Sequence, residues 1–185
     1  MKVLGIDPGL QVTGYAVIRT PDVPFTGTSQ VDLLEAGVIR TPGRESGIAR
    51  RLQKVHDCLG ELIAELEPDV MVLERIYTHY KHPTTAILMG HARGVVCLLS
   101  ASRNVPLVSL APARVKKAIT GKGQASKEQV QRMIQSILSL RTLPEPCDVA
   151  DALAIALAYV FSMKGRVKGF AGAAPAPRRL RKAAV

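Results

Sequence analysis

Cysteine is scarce in this sequence. Its 185 residues hold only three, Cys58, Cys97 and Cys147. They lie far apart, with no CxxC pair and no histidine at metal-ligand spacing, which argues against a disulfide framework and a zinc site alike. They are expected to be reduced thiols packed in the core. Long apolar runs are also missing. The longest, Ala152 to Phe161, is about half of a membrane span. Asp7 interrupts the N-terminal apolar residues, so no secretory leader is expected. Together these absences predict a soluble, cytoplasmic protein that does not enter a membrane. No internal repeat is visible. Acids are in short supply too: 15 Asp and Glu stand against 25 Lys and Arg, for a net charge of +10. That surplus predicts a polyanionic partner, nucleic acid first, with mere solubility as the competing reading.

What is present reads as one domain with a real core. Lys2–Asp7, Gly14–Arg19 and Leu34–Arg40 read as strands, and Thr20–Gln30, rich in Pro, Gly, Thr and Ser, as a loop. Ile48, Leu52, Val55, Leu59, Leu62, Ile63 and Leu66 recur at three and four, predicting a helix over 48–66. His56 and Asp57 fall off that stripe, on a solvated face. Val70–Leu73 is too short and too apolar for anything but a buried strand, and it ends in Glu74. A helix from Thr84 to Ala101 carries Ala86, Gly90 and Gly94 on one side, which implies close packing against a neighbour or a second subunit. Val105–Leu110 is a fifth strand. Basic helical material follows, and Ser126 caps a helix over Lys127–Leu140. The last helix runs from Asp148 to Met163. The order β-β-β-α-β-α-β-α-α-α predicts an α/β fold, a mixed five-stranded sheet of three antiparallel strands then two parallel ones, with helices on both faces. Residues 1–168 are read as the folded domain. Residues 169–185 lack periodicity and carry Arg178, Arg179, Arg181 and Lys182 without an acid, so they read as a disordered basic tail.

Four acids stand out. Two central-looking strands end in Asp7 and Glu74, and a buried, unpaired carboxylate is costly. If these strands are parallel neighbours, both carboxylates meet at one sheet edge. Asp148 and Asp151 are three residues apart and share a face of the last helix, in the turn where the helix dipole favours anions. Singly, each has a plain structural reading: an Asx turn before Pro8-Gly9 for Asp7, a solvated loop start for Glu74, a helix cap for Asp148. Converging in a basic protein, the four call for a hard divalent cation such as Mg²⁺. Two such ions, about 4 Å apart, suit in-line phosphodiester hydrolysis.

GIDPGLQVTGYAVI, LERIYTHYKHPTTAILMGHARG and DVADALAIALAY together resemble the RuvC family, bacterial Holliday-junction resolvases of the ribonuclease H-like superfamily. The similarity runs in order over residues 2 to 163. It implies a ribonuclease H-like nuclease domain that cuts four-way DNA junctions by paired, symmetric nicks, in recombination and repair. It implies that Asp7, Glu74, Asp148 and Asp151 are both the catalytic and the metal-binding acids. The implied cofactor is Mg²⁺, with Mn²⁺ as a substitute, two ions per site. The implied partners are junction DNA, a second copy of the chain joined through the glycine-bearing helix, and the RuvAB branch-migration complex. Tyr77 matches an aromatic that stacks on bases near the exchange point; such stacking is worth about 1–3 kcal/mol. Arg75, His79, Lys81 and His82 flank it as candidate phosphate contacts. Lys116 and Lys127 match basic positions near the family's active site, and Arg114, Lys117 and Lys122 are phosphate-contact candidates on charge alone. Arg93, in HARG, follows the family pattern among the residues that would hold DNA, with a structural role as the equal alternative.

Three rival readings compete. An actin-like kinase or ATPase shares the GIDPG-type hairpin, but needs a duplicated domain and a second Asp-Gly loop. A ribonuclease H-like nuclease of the YqgF type, which processes RNA, shares the first strand. A noncatalytic junction-binding protein would gain nothing from four carboxylates facing phosphates.

Overall fold

The computed structural model describes residues 1–21, 31–75 and 83–166. Strands β1 (Lys2–Asp7), β2 (Val12–Arg19) and β3 (Asp32–Arg40) form an antiparallel meander. There follow α1 (Gly47–Leu66), β4 (Val70–Glu74), α2 (Pro83–Arg103), β5 (Leu107–Leu110), α3 (Pro112–Thr120), α4 (Lys127–Ile137) and α5 (Cys147–Arg166). The sheet order is β3-β2-β1-β4-β5, with β4 parallel to β1 and β5 parallel to β4. This is the mixed five-stranded sheet that the order of elements predicts.

Strand alternation sorts the core into two layers. Leu4 and Ile6 of β1 and Met71 and Leu73 of β4 pack with Val55 and Leu59 of α1 and Val96 and Leu99 of α2. Val3 of β1 and Val70 and Val72 of β4 pack on the opposite face, with Val115 of α3, Ile134 of α4 and Leu153 and Leu157 of α5. Helices therefore cover both faces. Continuing the alternation puts Asp7 and Glu74 on the α5 side of the sheet.

The approach of α5 depends on two strand glycines. A Cβ on Gly5 would collide with the Ala152 carbonyl and lie 2.8 Å from the Ala156 nitrogen. A Cβ on Gly14 would collide with the Asp148 carbonyl. Glycine inside a strand marks such a close approach. The alanines of α5, buried at Ala150, Ala152, Ala154, Ala156 and Ala158, complete the fit.

Several boundaries differ from the sequence reading. Strands β2 and β3 each start two residues earlier, at Val12 and Asp32. Val105 lies in the connection between α2 and β5 rather than in β5, and its N–H donates to the Ser100 carbonyl at 3.0 Å. Helix α4 stops at Ile137, short of Leu140, because Ser139 is left-handed at φ 51°. Its start is as expected. Gln129 N–H donates to Ser126 Oγ at 3.2 Å, and Ser126 N–H donates to Gln129 Oε1 at 2.9 Å, a full capping box.

The cysteines are free thiols as expected, but only Cys58 packs against the core. Cys97 and Cys147 are exposed and Cys58 is only half-buried. Cys97 lies on the face of α2 turned away from the core, beside Leu98, which is 61% exposed. The same face carries Ile87, Gly90 and Gly94, and nothing among the described residues lies within 4 Å of a Cβ built on either glycine. Among the described residues, these glycines pack closely against nothing. Among the described residues, α2 is the one helix long and apolar enough to cross a membrane by length and composition. Its Ala92, Val96 and Leu99 are nonetheless buried, so it is an integral part of the globular core. Residues 22–30 of the expected loop, and the tail 169–185, lie outside the described residues.

Candidate active site

Strands β1 and β4 pair in parallel up to Ile6 opposite Leu73. One step further along that register, Asp7 and Glu74 stand side by side at the C-terminal edge of the sheet. On the other flank of β1, Asp7 pairs with Gly14 of β2. Gly14 in turn lies beneath Asp148, so the first turn of α5 sits directly over the same edge. Asp151 follows within a turn, and its Oδ2 lies 3.4 Å from Lys127 Nζ at the start of α4.

The electrostatics show how close these groups are. Burial, then the charges of Asp151, Glu74 and Asp148, push Asp7 up from 3.8 to about 7, with Lys127 opposing. Burial and Asp151 raise Glu74, while Lys116 and Lys127 pull it down. Asp151 raises Lys127. The chain therefore brings together all four acids and two of the basic residues singled out by sequence, Lys116 and Lys127.

The carboxylates are neighbours without being a closed cage. No group of three or more His, Cys, Asp or Glu among the described residues stands ready to hold a metal ion. Burial and the neighbouring like charges together raise Asp7 and Glu74. An all-carboxylate set at the open end of a sheet fits a hard oxygen-binding cation, which would supply the missing positive charge.

Two arginines hold the edge, and sequence reasoning missed both contacts. Arg93 Nη1 donates to the Glu74 carbonyl at 2.9 Å and Nη2 to Ser109 Oγ at 2.7 Å, tying α2 to the ends of β4 and β5. Arg51 of α1, only 7% exposed, donates from Nη2 to the Leu10 carbonyl at 3.0 Å and from Nε to Thr41 Oγ1 at 3.2 Å. Thr41 Oγ1 also donates to the Leu10 carbonyl at 2.7 Å. The turn after Asp7 is thereby clamped to α1 and the end of β3. A buried arginine bonded to a carbonyl and a hydroxyl distant in the chain leaves no local signal in sequence.

The other candidates are more dispersed. Arg75 is exposed, and its N–H donates to the Leu110 carbonyl at 2.7 Å. Arg114, Lys117 and Lys122 are exposed on α3 and the following turn. None of these four is among the charges that shift the acids. Tyr77, His79, Lys81 and His82 lie outside the described residues.

A sheet of this order, with acids at the ends of its two central strands and on the helix laid over them, defines a protein of the ribonuclease H-like class. A family model described as crossover junction endodeoxyribonuclease RuvC matches residues 3–159, and the chain belongs to that family. The crossover junction endodeoxyribonuclease RuvC of Rhodopirellula baltica is 48% identical over 155 residues, covering 84% of this chain and 83% of that protein. The Thermus thermophilus RuvC structure superposes with a TM-score of 0.76 at 31% identity, over 89% of this chain and 96% of that one. T. thermophilus RuvC in complex with Holliday junction substrate gives 0.75 at 32% identity, with the same coverage.

Proposed function

We infer that this chain is a crossover junction endodeoxyribonuclease that cuts four-way DNA junctions by divalent-metal-dependent phosphodiester hydrolysis, in recombination and repair. Family membership supports the class. The observation that carries the chemistry is the gathering of Asp7, Glu74, Asp148 and Asp151 at one sheet edge, where burial and then the other three acids push Asp7 up to about 7.

The four acids are the residues that would hold Mg²⁺, or Mn²⁺ in its place, as two ions. Bound there, the ions would supply an activated water and a counter-charge for the leaving oxygen. The chain's own residues do the rest. The buried strands β1 and β4 keep two acids fixed, since a ligand is only as well placed as its scaffold. Arg93 and Arg51 fix the backbone beside each of them. Lys127 and Lys116 offset the acids' charge and are placed to receive phosphates. Arg114, Lys117, Lys122 and Arg75 extend that basic surface, so affinity should fall steeply with salt. Tyr77 and Lys81 are assigned to base stacking and phosphate contact at the exchange point.

The bare face of α2, with Ile87, Gly90, Gly94, Cys97 and Leu98, is assigned to a two-fold homodimer. Such a dimer would present two edges to a junction of matching symmetry, and the RuvAB complex is the expected cellular partner. The test is cleavage of a synthetic four-way junction, plain duplex and RNA–DNA hybrid side by side, in Mg²⁺, in Mn²⁺ and in EDTA. Metal-dependent, paired nicking of the junction alone is expected. Preferential cutting of RNA, or cutting in EDTA, would overturn the reading.

A further inference from the structure

Half of the chain's surplus positive charge sits in residues 167–185. They hold five basic residues, Lys168, Arg178, Arg179, Arg181 and Lys182, and no acid, out of a net charge of +10. Residues 1–166 carry the other 20 Lys and Arg against all 15 Asp and Glu. Four of the five cations crowd into Arg178–Lys182, just after Pro175 and Pro177. This stretch lies outside the described residues and past residue 159, where the family match ends, so neither the fold nor the family assigns it a role.

The fold does fix where it starts. Asp148 lies over Gly14, which pairs with Asp7, and Ala152 and Ala156 lie over Gly5, two residues back along β1. Helix α5 therefore runs antiparallel to β1, from the acids towards the opposite edge of the sheet. From Asp148 to Arg166 it rises about 27 Å, at about 1.5 Å per residue. The chain from Arg166 to Arg178 spans at most about 40 Å. The cluster can thus return level with the acids, and it can equally reach phosphates well away from them.

Composition narrows the ligand. Four cations within five residues suit a surface of closely spaced negative charge, and duplex DNA carries one such charge per about 1.7 Å of its axis. The cluster has no aromatic side chain on which an unpaired base could stack, so an exchange point offers it nothing that a plain arm lacks. The chain's own acids are a poorer target, because Lys116 and Lys127 already face them.

We propose that Arg178–Lys182 grips the phosphates of a duplex arm away from the exchange point, adding a share of DNA affinity that depends on neither sequence nor shape. The proposal rests on the reading of the chain as a junction nuclease and gives that enzyme a second contact. The cluster holds DNA of any form, and the folded domain selects the junction. Such a grip on plain duplex also lets a protein slide and hop along DNA.

The test uses the full chain, as wild type and with Arg178, Arg179, Arg181 and Lys182 all replaced by Gln. Wild-type cleavage of a four-way junction comes first; its failure sinks the functional reading and this proposal with it. Given that cleavage, affinities for the junction and for a plain duplex are measured in EDTA over about 50–200 mM salt. The fourfold variant should bind both DNAs at least tenfold more weakly at the low end. Its slope of log affinity against log salt should be shallower by about 3–4 for both. Junction cleavage at saturating protein should stay within twofold of wild type. Arg178→Lys, Arg179→Lys and Arg181→Lys together should keep the wild-type slope. Should the fourfold variant fail to fold, the pair Arg178→Gln and Arg179→Gln and the pair Arg181→Gln and Lys182→Gln should each show about half the change. Equal slopes for wild type and variant overturn the proposal, and if binding to polyglutamate is lost instead, the partner is an acidic protein. A loss confined to the junction, or a fall in saturated cleavage, also overturns it, because the cluster would then act at the exchange point.

Discussion

Replacing Asp7 by Asn should make the metal-free protein more stable while removing its cleavage. The wild-type carboxyl is raised from 3.8 to about 7, chiefly by burial and then by Asp151, Glu74 and Asp148. Each tenfold change in proton affinity corresponds to about 1.4 kcal/mol, so ionised Asp7 costs the folded state about 4 kcal/mol above pH 7. The direction follows from proton binding. Between pH 4 and 7 the folded state holds this proton and the unfolded state has lost it, so stability falls as pH rises through that window. Asparagine keeps the shape and removes the charge. By the same relation the gain in EDTA should be about 4 kcal/mol at pH 8 and about 2 kcal/mol at pH 5. These are upper values, because neighbouring acids relax. Urea unfolding followed by circular dichroism, at both pH values, reads the difference. Adding Mg²⁺ should reverse the order, since a ligand that binds only the folded wild type stabilises it. Junction binding should persist while cutting is lost. A variant no more stable than wild type in EDTA at pH 8, or a gain that does not grow with pH, would refute the convergence of the four acids.

Three further outcomes follow from the packing. Gly14→Ala drives a Cβ into the Asp148 carbonyl, so α5 must shift; a loss of about 1–3 kcal/mol in urea unfolding should come with a larger fall in cleavage than in junction binding. Ser126→Ala removes the cap of α4, whose first residue is Lys127, and should cost about 1 kcal/mol, with cleavage reduced more at high salt than at low salt. Arg93→Ala leaves the Glu74 carbonyl and Ser109 Oγ without their charged donor and should cost about 2–3 kcal/mol; the midpoint of Mg²⁺ activation should move up, and Arg93→Lys should restore stability more than that midpoint.

Much of this arrangement is legible in sequence, because it is written in local patterns. The acids end apolar runs, and a run of four apolar residues between helices has few readings besides a central strand. Ser126 and Gln129 carry their capping box in plain view. The unread parts depend on partners distant in the chain. Arg51 looks like one more charge on an exposed helix, until its bonds to Leu10 and Thr41 show it facing inward. Gly90 and Gly94 suggest tight packing, whereas the glycines that α5 touches are Gly5 and Gly14. Those two do leave a sign: each interrupts a β-branched strand, where glycine weakens the element unless another backbone needs the space. Cys97 departs from expectation because residue type alone points to burial, while the face it occupies on α2 is set by the helix period.

The site depends on parity as much as on composition. Asp7 and Glu74 reach the α5 side because Val3 and Gly5 on one strand, and Val70 and Val72 on the other, reach it two and four residues earlier. A slip of one residue in β4 would send Glu74 to the α1–α2 face and put Met71 and Leu73 under α5. Gly5 would still admit the helix, but no acid would stand beside Asp7. The hydrophobic layers that specify the register are thus the same feature that brings the carboxylates together. The burial that secures the register also raises Asp7 and Glu74, so a better-packed β1 edge strengthens the demand for a cation. In this fold the stability of the strands and the instability of the acids are set by the same residues, and they cannot be tuned separately.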